Sequence, residues 1–170
     1  MVDIRPATAE DAGAIAEIQN ALLATTAIEW RDEPHTPASR VDWIDRHHVV
    51  LVAVDGDDVV GFAAYGDFRD TAGWPGYRFV VENSIHVRES HWGSGVGRQL
   101  MEALIDAAAA AGKHAMVAAV DGENEASIRF HERLGFVEVA RMPEVGSKLG
   151  RWLDLVLLQR QLDDRPVPPD

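Results

Sequence analysis

The sequence predicts a single α/β (α+β) domain, in which a mixed β-sheet carries helices on both faces. Segments with strand-like and helix-like apolar spacing follow one another in the order βααβββαβαββ, where β is a strand and α a helix. A glycine-rich turn joins an apolar strand near the middle of the chain to an amphipathic helix. With 170 residues, 46% of them hydrophobic and 26% charged, the chain is long enough to bury one core.

The first half of the chain supplies two helices and four strands. Thr8 and Asp11 resemble a capping box, which predicts the start of the first helix. Two prolines close a polar loop over residues 25–37. The sequence DGDD at 55–58 lies between two apolar runs and indicates a hairpin. The predicted elements are a strand at 2–5, a helix after Thr8, a helix at 39–48, strands at 49–54 and 59–65, and a central strand at 77–87.

The second half begins with the helix that follows the glycine turn. Gly112 ends this helix, and Gly135 ends the next one, because glycine is the residue most often found just after a helix. Strands are predicted at 116–120, 136–140 and 152–158, and the helix that Gly135 ends is predicted at 124–134. We expect the domain to span residues 1–162. Residues 163–170 are acidic and rich in proline, so we expect a disordered tail.

Charge and composition exclude several classes of protein. A net charge of -12 argues against nucleic-acid binding, which depends on contacts to phosphates. The absence of cysteine excludes disulfides and thiol catalysis. No run is long enough to span a membrane and the N-terminus lacks the apolar stretch of a signal peptide, so we expect a cytoplasmic protein. The seven histidines show no metal-ligand spacing, so no metal is expected.

The glycine turn predicts an anion site. Its residues are Gly93, Ser94, Gly95, Val96, Gly97 and Arg98. Free N–H groups at the start of a helix attract negative charge, and glycines let the backbone approach a phosphate closely. A P-loop is excluded because Arg98 and Gln99 follow the last glycine in place of Lys and Ser or Thr. The G-x-G-x-G spacing in the middle of the chain also differs from a dinucleotide fingerprint.

Two motifs together resemble the GCN5-related N-acetyltransferase (GNAT) superfamily. GSGVGRQL at 93–100 resembles its acetyl-CoA loop, and NEASIRFHERLGF at 124–136 resembles its second motif. Similarity at TTAI (25–28), YGDFR (65–69), ENSIHV (82–87) and VGSKLGRWLD (145–154) points to the phosphinothricin and methionine sulfone/sulfoximine N-acetyltransferase branch. The resemblance implies a single-domain acetyltransferase fold with a twisted, mostly antiparallel sheet, acetyl-CoA as cosubstrate, and no metal.

The resemblance also implies the contacts to acetyl-CoA. The backbone of Ile85, His86 and Val87 is expected to pair with the pantetheine arm like an added strand. The glycine turn would hold the pyrophosphate, and Asn124 and Ser127 would contact the arm. The alternative for Asn124 is the N-cap of its own helix, and through its backbone and side chain it could do both. The chain departs from the family at Trp92, where Arg or Gln is usual, and from the branch at His86, where Tyr is usual.

Glu82 is the predicted general base and His131 the predicted proton donor to the leaving thiolate. Apolar neighbours on the central strand would raise the pKa of Glu82 toward neutrality. The alternative for Glu82 is a glutamate that is solvated or paired with Arg78. His86 is either a second base or a hydrogen-bonded structural histidine. The alternative for His131 is a position on the helix surface.

The substrate implied by the resemblance is a small amino acid or analogue: phosphinothricin, methionine sulfone or methionine sulfoximine. Arg69 and Arg78 match arginines that hold its acidic or oxygen-bearing end. The other predicted contacts are Trp30, Glu82, Asn83 and Ser84. The branch usually forms homodimers, so we expect one, with Lys148, Arg151 and Asp154 serving structure or the interface.

Two other functions remain open at the level of the sequence. One is an acyl-CoA-binding sensor that has lost turnover. The other is an acetyltransferase for protein N-termini, ribosomal proteins or polyamines. The acidic net charge would attract polyamines, whereas Arg69 and Arg78 would repel them locally.

Overall fold

The computed structural model describes residues 2–169 as one seven-stranded sheet with four helices. Met1 and Asp170, the first residue of the predicted domain and the last of the predicted tail, lie outside the described residues. In chain order the elements are β1 (Asp3–Pro6), α1 (Ala12–Asn20), α2 (Pro37–Arg46), β2 (Val49–Asp55), β3 (Asp58–Asp67), β4 (Val80–Val87), α3 (Val96–Ala110), β5 (Ala115–Asp121), α4 (Glu125–Arg133), β6 (Val137–Lys148) and β7 (Arg151–Gln161).

The element order matches the predicted order βααβββαβαββ, and the α/β fold class is confirmed. The strands lie in the order β1-β2-β3-β4-β5-β7-β6. Every neighbouring pair is antiparallel except β4 and β5, which are parallel. The sheet is therefore mixed and mostly antiparallel.

Two apolar clusters cover the two faces of the sheet. On one face Leu100 and Leu104 of α3 pack with Met116 of β5. On the other, Ile15 of α1 packs against Phe62 of β3. All five side chains are almost fully buried. Each would contribute roughly 1.5–3 kcal/mol of transfer free energy, so both layers stabilise the sheet.

β4 and β5 pair over only part of their length. Their ladder runs from Val80 opposite Ala115 to Asn83 opposite Ala118. Both strands continue beyond this point, but without pairing to each other. The sheet therefore opens into a gap beyond Asn83. On its other edge β4 stays paired with β3 as far as Val87.

Several predicted boundaries are wrong by a few residues. The central strand begins at Val80 because Pro75–Tyr77 form a 3₁₀ turn. The residues after Thr8 also form a 3₁₀ turn, so α1 begins only at Ala12. The strand predicted at 136–140 extends to Lys148. β6 is an edge strand, which tolerates Pro143 and Gly146, and its register against β7 shifts between Met142 and Gly146.

The start of the predicted tail contacts the body of the domain. Asp163 accepts a 2.7 Å bond from His114 and pairs with Arg165. Arg165 also donates to the carbonyl of Gly112 at 2.9 Å. These bonds hold residues 163–165 beside the end of α3, whereas disorder further along the tail stays a prediction. No helix in the described part of the chain is long and apolar enough to cross a membrane.

Candidate active site

Two cavities of about 550 Å³ each meet where β4 and β5 separate. The first, which we call the Glu82 cleft, extends over β4 toward α1 and α2 and contains Glu82. The second, the glycine groove, runs past the glycine turn between α3 and α4. Both are lined by Ile28, Ile85, His86, Asn124 and Ser127. A long ligand in the groove can therefore present its end to the cleft.

The glycine turn has the backbone conformation that an anion site needs. Gly93 has φ 74° and Gly95, which caps α3, has φ 92°. Only glycine adopts this left-handed region without strain. A Cβ built at Gly93 would find no neighbour within 4 Å, so the turn is open. The first N–H groups of α3 lack partners within the helix and can bind an anion.

Two of the four arginines in and beside the two motifs line the groove. Arg98 and Arg133 line it, and Arg98 also pairs with Glu102 at 2.7 Å. Arg88 and Arg129 instead pair with Glu17 at 3.1 Å and Glu125 at 2.8 Å, respectively. The groove is therefore positive chiefly through two side chains and the start of a helix.

The predicted pantetheine contacts lie along the open edge of β4. Ile85, His86 and Val87 pair with β3 but extend past the last residue paired with β5. Their β5-facing backbone groups can pair with an extended chain. Trp92 donates from Nε1 to the carbonyl of Val87 at 2.8 Å, so this tryptophan both lines the groove and fixes the end of the strand.

Asn124 and Ser127 lie together across the gap from β4. The side chain of Asn124 accepts from the Ser127 N–H at 3.1 Å, which makes Asn124 the N-cap of α4. Both residues line both cavities. Asn124 therefore caps its helix, as the alternative predicted. The cap uses Oδ1, so the side-chain NH₂ group of Asn124 stays available to a ligand at the junction.

Glu82 lies in the cleft on β4, directly opposite Gly66 of β3. Burial raises the pKa of its carboxyl group, as its apolar flanks predicted. Among the described residues Glu82 forms no ion pair. Arg78 instead donates to the carbonyls of Pro75 at 3.3 Å and Pro169 at 3.4 Å, so the alternative of a Glu82–Arg78 pair is wrong.

His131 is buried, not exposed on its helix. It is only 2% exposed. Its Nδ1 lies 2.9 Å from the carbonyl oxygen of Ser127, and its Nε2 lies 3.3 Å from Oδ1 of Asn83. Burial lowers the pKa of His131, so its imidazole is neutral near pH 7. Its role as proton donor to the thiolate stays a prediction.

Two predicted substrate residues line the cleft beside Glu82. The amide of Asn83 donates to the carbonyl of Val117 at 3.0 Å, which ties β4 to β5 at the last paired position. The buried hydroxyl of Ser84 has no hydrogen-bond partner among the described residues. Buried polar groups are normally paired, so Ser84 marks a place where a bound water or ligand atom is expected.

Three predicted substrate residues lie outside both cavities. Arg69 stacks over Phe68 at 5.4 Å, and Arg78 over Phe79 at 4.5 Å. Trp30 packs against Gly146 so closely that a Cβ there would overlap the indole. The structure therefore brings together Glu82, Asn83, Ser84, His86 and His131, but not the arginines and the tryptophan.

A polar network around Glu29 lines the cleft and was missed at the level of the sequence. Glu29 accepts from Gln19 at 2.8 Å and contacts His35 at 2.6 Å and His86 at 3.4 Å. Arg40 donates to Gln19 at 2.9 Å. These residues come from α1, the following loop, α2 and β4, so no local pattern in the sequence could have revealed their contact.

Lys148, at the end of β6, fixes the loop that carries Glu29. It is buried, and its Nζ donates to the carbonyls of Leu23 at 2.6 Å and Glu29 at 2.7 Å. Charge-assisted bonds of this kind contribute roughly 1.5–3 kcal/mol each. Lys148 therefore has the structural role that its motif suggested.

Among residues 2–169, no group of three or more His, Cys, Asp or Glu side chains is arranged so that it could hold a metal ion.

A glycine turn suited to an anion, an open strand edge and a half-buried carboxyl group in the adjoining cleft define a site for transfer from a coenzyme A thioester. Residues 15–136 match the Acetyltransferase (GNAT) family. The chain belongs to this family.

Relatives cover almost the whole chain. The L-methionine sulfoximine/L-methionine sulfone acetyltransferase of Salmonella typhimurium is 43% identical over 169 residues, 97% of each chain. The phosphinothricin N-acetyltransferase of Streptomyces coelicolor is 33% identical over 168 residues, 95% of this chain and 96% of the relative. The structure of yncA from Salmonella typhimurium with its cofactor acetyl-CoA has a TM-score of 0.93 at 42% identity and covers 99% of this chain and 98% of that one. The branch suggested by the motifs is confirmed.

Proposed function

We propose that the protein transfers the acetyl group of acetyl-CoA to the α-amino group of a small amino acid or analogue. Methionine sulfoximine, methionine sulfone and phosphinothricin are the proposed substrates, in keeping with the names of the relatives. Because acetyl-CoA is a metabolite of the cell interior, we propose a cytoplasmic reaction. The single observation that carries the proposal is the half-buried carboxyl group of Glu82 in the cleft that meets the glycine groove.

The chemistry follows from this arrangement. An ammonium group has no lone pair, so a base must remove a proton before the nitrogen attacks the thioester. A carboxyl group with a raised pKa is well matched to this task near neutrality. The glycine groove would hold the pyrophosphate of acetyl-CoA, and the open edge of β4 would align the pantetheine arm. The acetyl carbonyl would then lie near Glu82 and Ser84.

A panel of amino acids tests the substrate class. Release of free thiol from acetyl-CoA should accelerate with the three proposed compounds and should stay at background with polyamines or peptide N-termini. A sensor without turnover would bind acetyl-CoA and release no thiol with any acceptor. That result, or a preference for polyamines or peptides, would contradict the proposal.

We propose that Arg69 and Arg78, from the loop between β3 and β4, hold the acidic end of the substrate. Neither side chain lines the cleft, but Gly66 and Asp67, the last residues of β3 before this loop, do. Changing either arginine to alanine should raise the amino-acid KM about tenfold, since a charge-assisted hydrogen bond contributes roughly 1.5–3 kcal/mol. The KM for acetyl-CoA should not change. Arg31 already lines the cleft, so Arg31→Ala is the informative comparison. If only Arg31→Ala raises the amino-acid KM, the assignment to Arg69 and Arg78 is wrong.

We also propose a homodimer that forms through the β6–β7 hairpin. β6 is an edge strand, and an exposed apolar edge favours association. The exposed apolar side chains of the hairpin are Val137, Val139, Met142, Val145, Leu149 and Trp152.

Light scattering at micromolar concentration should give the mass of a dimer for the wild type and that of a monomer for Trp152→Asp. Trp74→Asp is a matched control, because Trp74 is as exposed (67%) as Trp152 (69%) but lies outside the hairpin. A monomeric wild type, or equal dissociation by both variants, would contradict an interface at the hairpin.

A further inference from the structure

The junction of the two cavities holds an ionisable side chain other than Glu82. His86 lines both the Glu82 cleft and the glycine groove. Its imidazole is stacked on Phe62, with 5.2 Å between ring centroids and 16° between planes. Glu82 and His86 are four residues apart on one strand, so their side chains point to the same face of the sheet. The acyl-transfer site therefore has two titratable groups on one face.

Glu29 holds His86 from the loop after α1. Its Oε1 lies 3.4 Å from Nε2 of His86. Its other oxygen lies 2.6 Å from Nε2 of His35, whose Nδ1 lies 3.1 Å from an Arg31 nitrogen. Because arginine can only donate, Nδ1 of His35 accepts, and Nε2–H of His35 donates to Glu29. Gln19 donates to Oε1 as well, so Glu29 is fixed in place beside His86.

The charge states suit a proton acceptor. Burial works to raise the pKa of Glu29, but the hydrogen bonds from His35 and Gln19 help to bring it below its ordinary value. Burial lowers the pKa of His86, and the attraction of Glu29 opposes this shift only in part. The other charged or titratable groups that act on His86 are His35 and Arg40, and both lower its pKa. A neutral imidazole beside a fixed anion is ready to take up a proton.

We propose that His86 is a second catalytic residue of the acetyl transfer and that Glu29 is its positioning residue. The inference rests on the proposed function. Glu82 takes the first proton of the ammonium group, and the amine then attacks to form the N–C bond. The nitrogen of the tetrahedral intermediate carries one proton too many, and His86 accepts it. As the C–S bond breaks, His86 passes this proton to the sulfur of coenzyme A. Glu82 releases its own proton to solvent, so the products are one amide, one thiol and one proton.

His86 is better placed for this step than His131. The nitrogens of His131 already contact oxygens of Ser127 and Asn83, and its ring borders the cleft but not the glycine groove. His86 borders both cavities and therefore reaches the point where the amine and the thioester meet. Its backbone role toward pantetheine does not depend on the side chain.

The pH dependence of kcat/KM tests the proposal, measured below the pKa of the substrate amine. With two bases required in unprotonated form, the acidic limb of the wild-type logarithmic plot approaches a slope of two. His86→Asn should reduce this slope to one and lower kcat by about 10²-fold. Glu29→Gln should move the His86 ionisation to lower pH, because removing the anion destabilises the imidazolium ion. His114→Asn is the matched control, since His114 pairs with Asp163 and lines neither cavity.

The outcomes separate this inference from the proposed function. An active wild type whose slope and rate are unchanged in His86→Asn would overturn the role of His86. If His86→Asn loses acetyl-CoA binding, the pH profile of kcat/KM for Glu29→Gln decides. A shift of its acidic limb to lower pH supports the proposal, and an unchanged limb overturns it. A wild type that acetylates no amino acid would overturn the proposed function itself, and this inference with it.

Discussion

Glu82→Gln should lower kcat by about 10²–10⁴-fold, the usual contribution of a general base. Glutamine keeps the shape of the side chain but cannot accept the proton of the ammonium group. Acetyl-CoA affinity should be retained, because Glu82 lies in the cleft and not in the glycine groove. The pH profile of kcat/KM should lose the ionisation of Glu82, so that its acidic limb becomes less steep.

The stability of the same variant separates catalysis from damage to the fold. Burial raises the pKa of Glu82, so ionising this carboxyl group costs stability above its folded-state pKa. Glu82→Gln should therefore melt at the same temperature as the wild type or higher at alkaline pH. Glu138→Gln is a control, because Glu138 pairs with Arg141 on β6 outside both cavities. If Glu82→Gln keeps the wild-type rate and acidic limb, another group is the base.

Gly95→Val should weaken acetyl-CoA binding by about 100-fold, equivalent to about 2.7 kcal/mol or one to two charge-assisted hydrogen bonds. Gly95 has φ 92°, where a branched side chain is strained, and it caps the end of α3 that faces the groove. Valine would shift the turn and place a side chain over the N–H groups of the helix. Isothermal titration calorimetry with acetyl-CoA measures the effect directly.

Gly112→Val is the matched control for this change. Gly112 has φ 74°, follows the opposite end of α3, and has no neighbour within 4 Å of the position that a Cβ would take. Both variants introduce valine in left-handed backbone and should lose similar thermal stability. Only Gly95→Val should lose affinity for acetyl-CoA. Equal affinities in the two variants would contradict the assignment of the glycine turn.

The parts of the fold that local signals encode could be predicted from the sequence. The helix after the glycine turn repeats its apolar residues at helical spacing, and the structure buries Val96, Leu100 and Leu104 on that face. The glycine spacing likewise predicted a turn at Gly93 and Gly95, and both residues have positive φ. These features depend on neighbours within a few residues, which a sequence displays directly.

Contacts between distant segments could not be predicted. Glu29 lies in a loop whose sequence indicates only a polar segment, yet Gln19, His35 and His86 surround its carboxylate. The ion pair between Arg88, just after β4, and Glu17 of α1 also joins distant segments. The sequence could therefore not show that Arg88 lies outside the glycine groove. The loop arginines were placed in the cleft by resemblance, and the packing of Arg69 on aromatic rings gave no local signal.

Mass spectrometry of the product formed from acetyl-CoA and methionine sulfoximine tests the central claim most directly. We predict that wild-type protein adds one acetyl group to the α-amino nitrogen and releases one equivalent of coenzyme A, with Glu82→Gln strongly impaired. An unmodified amino acid after prolonged incubation with enzyme that binds acetyl-CoA, repeated with methionine sulfone and phosphinothricin, would contradict the claim.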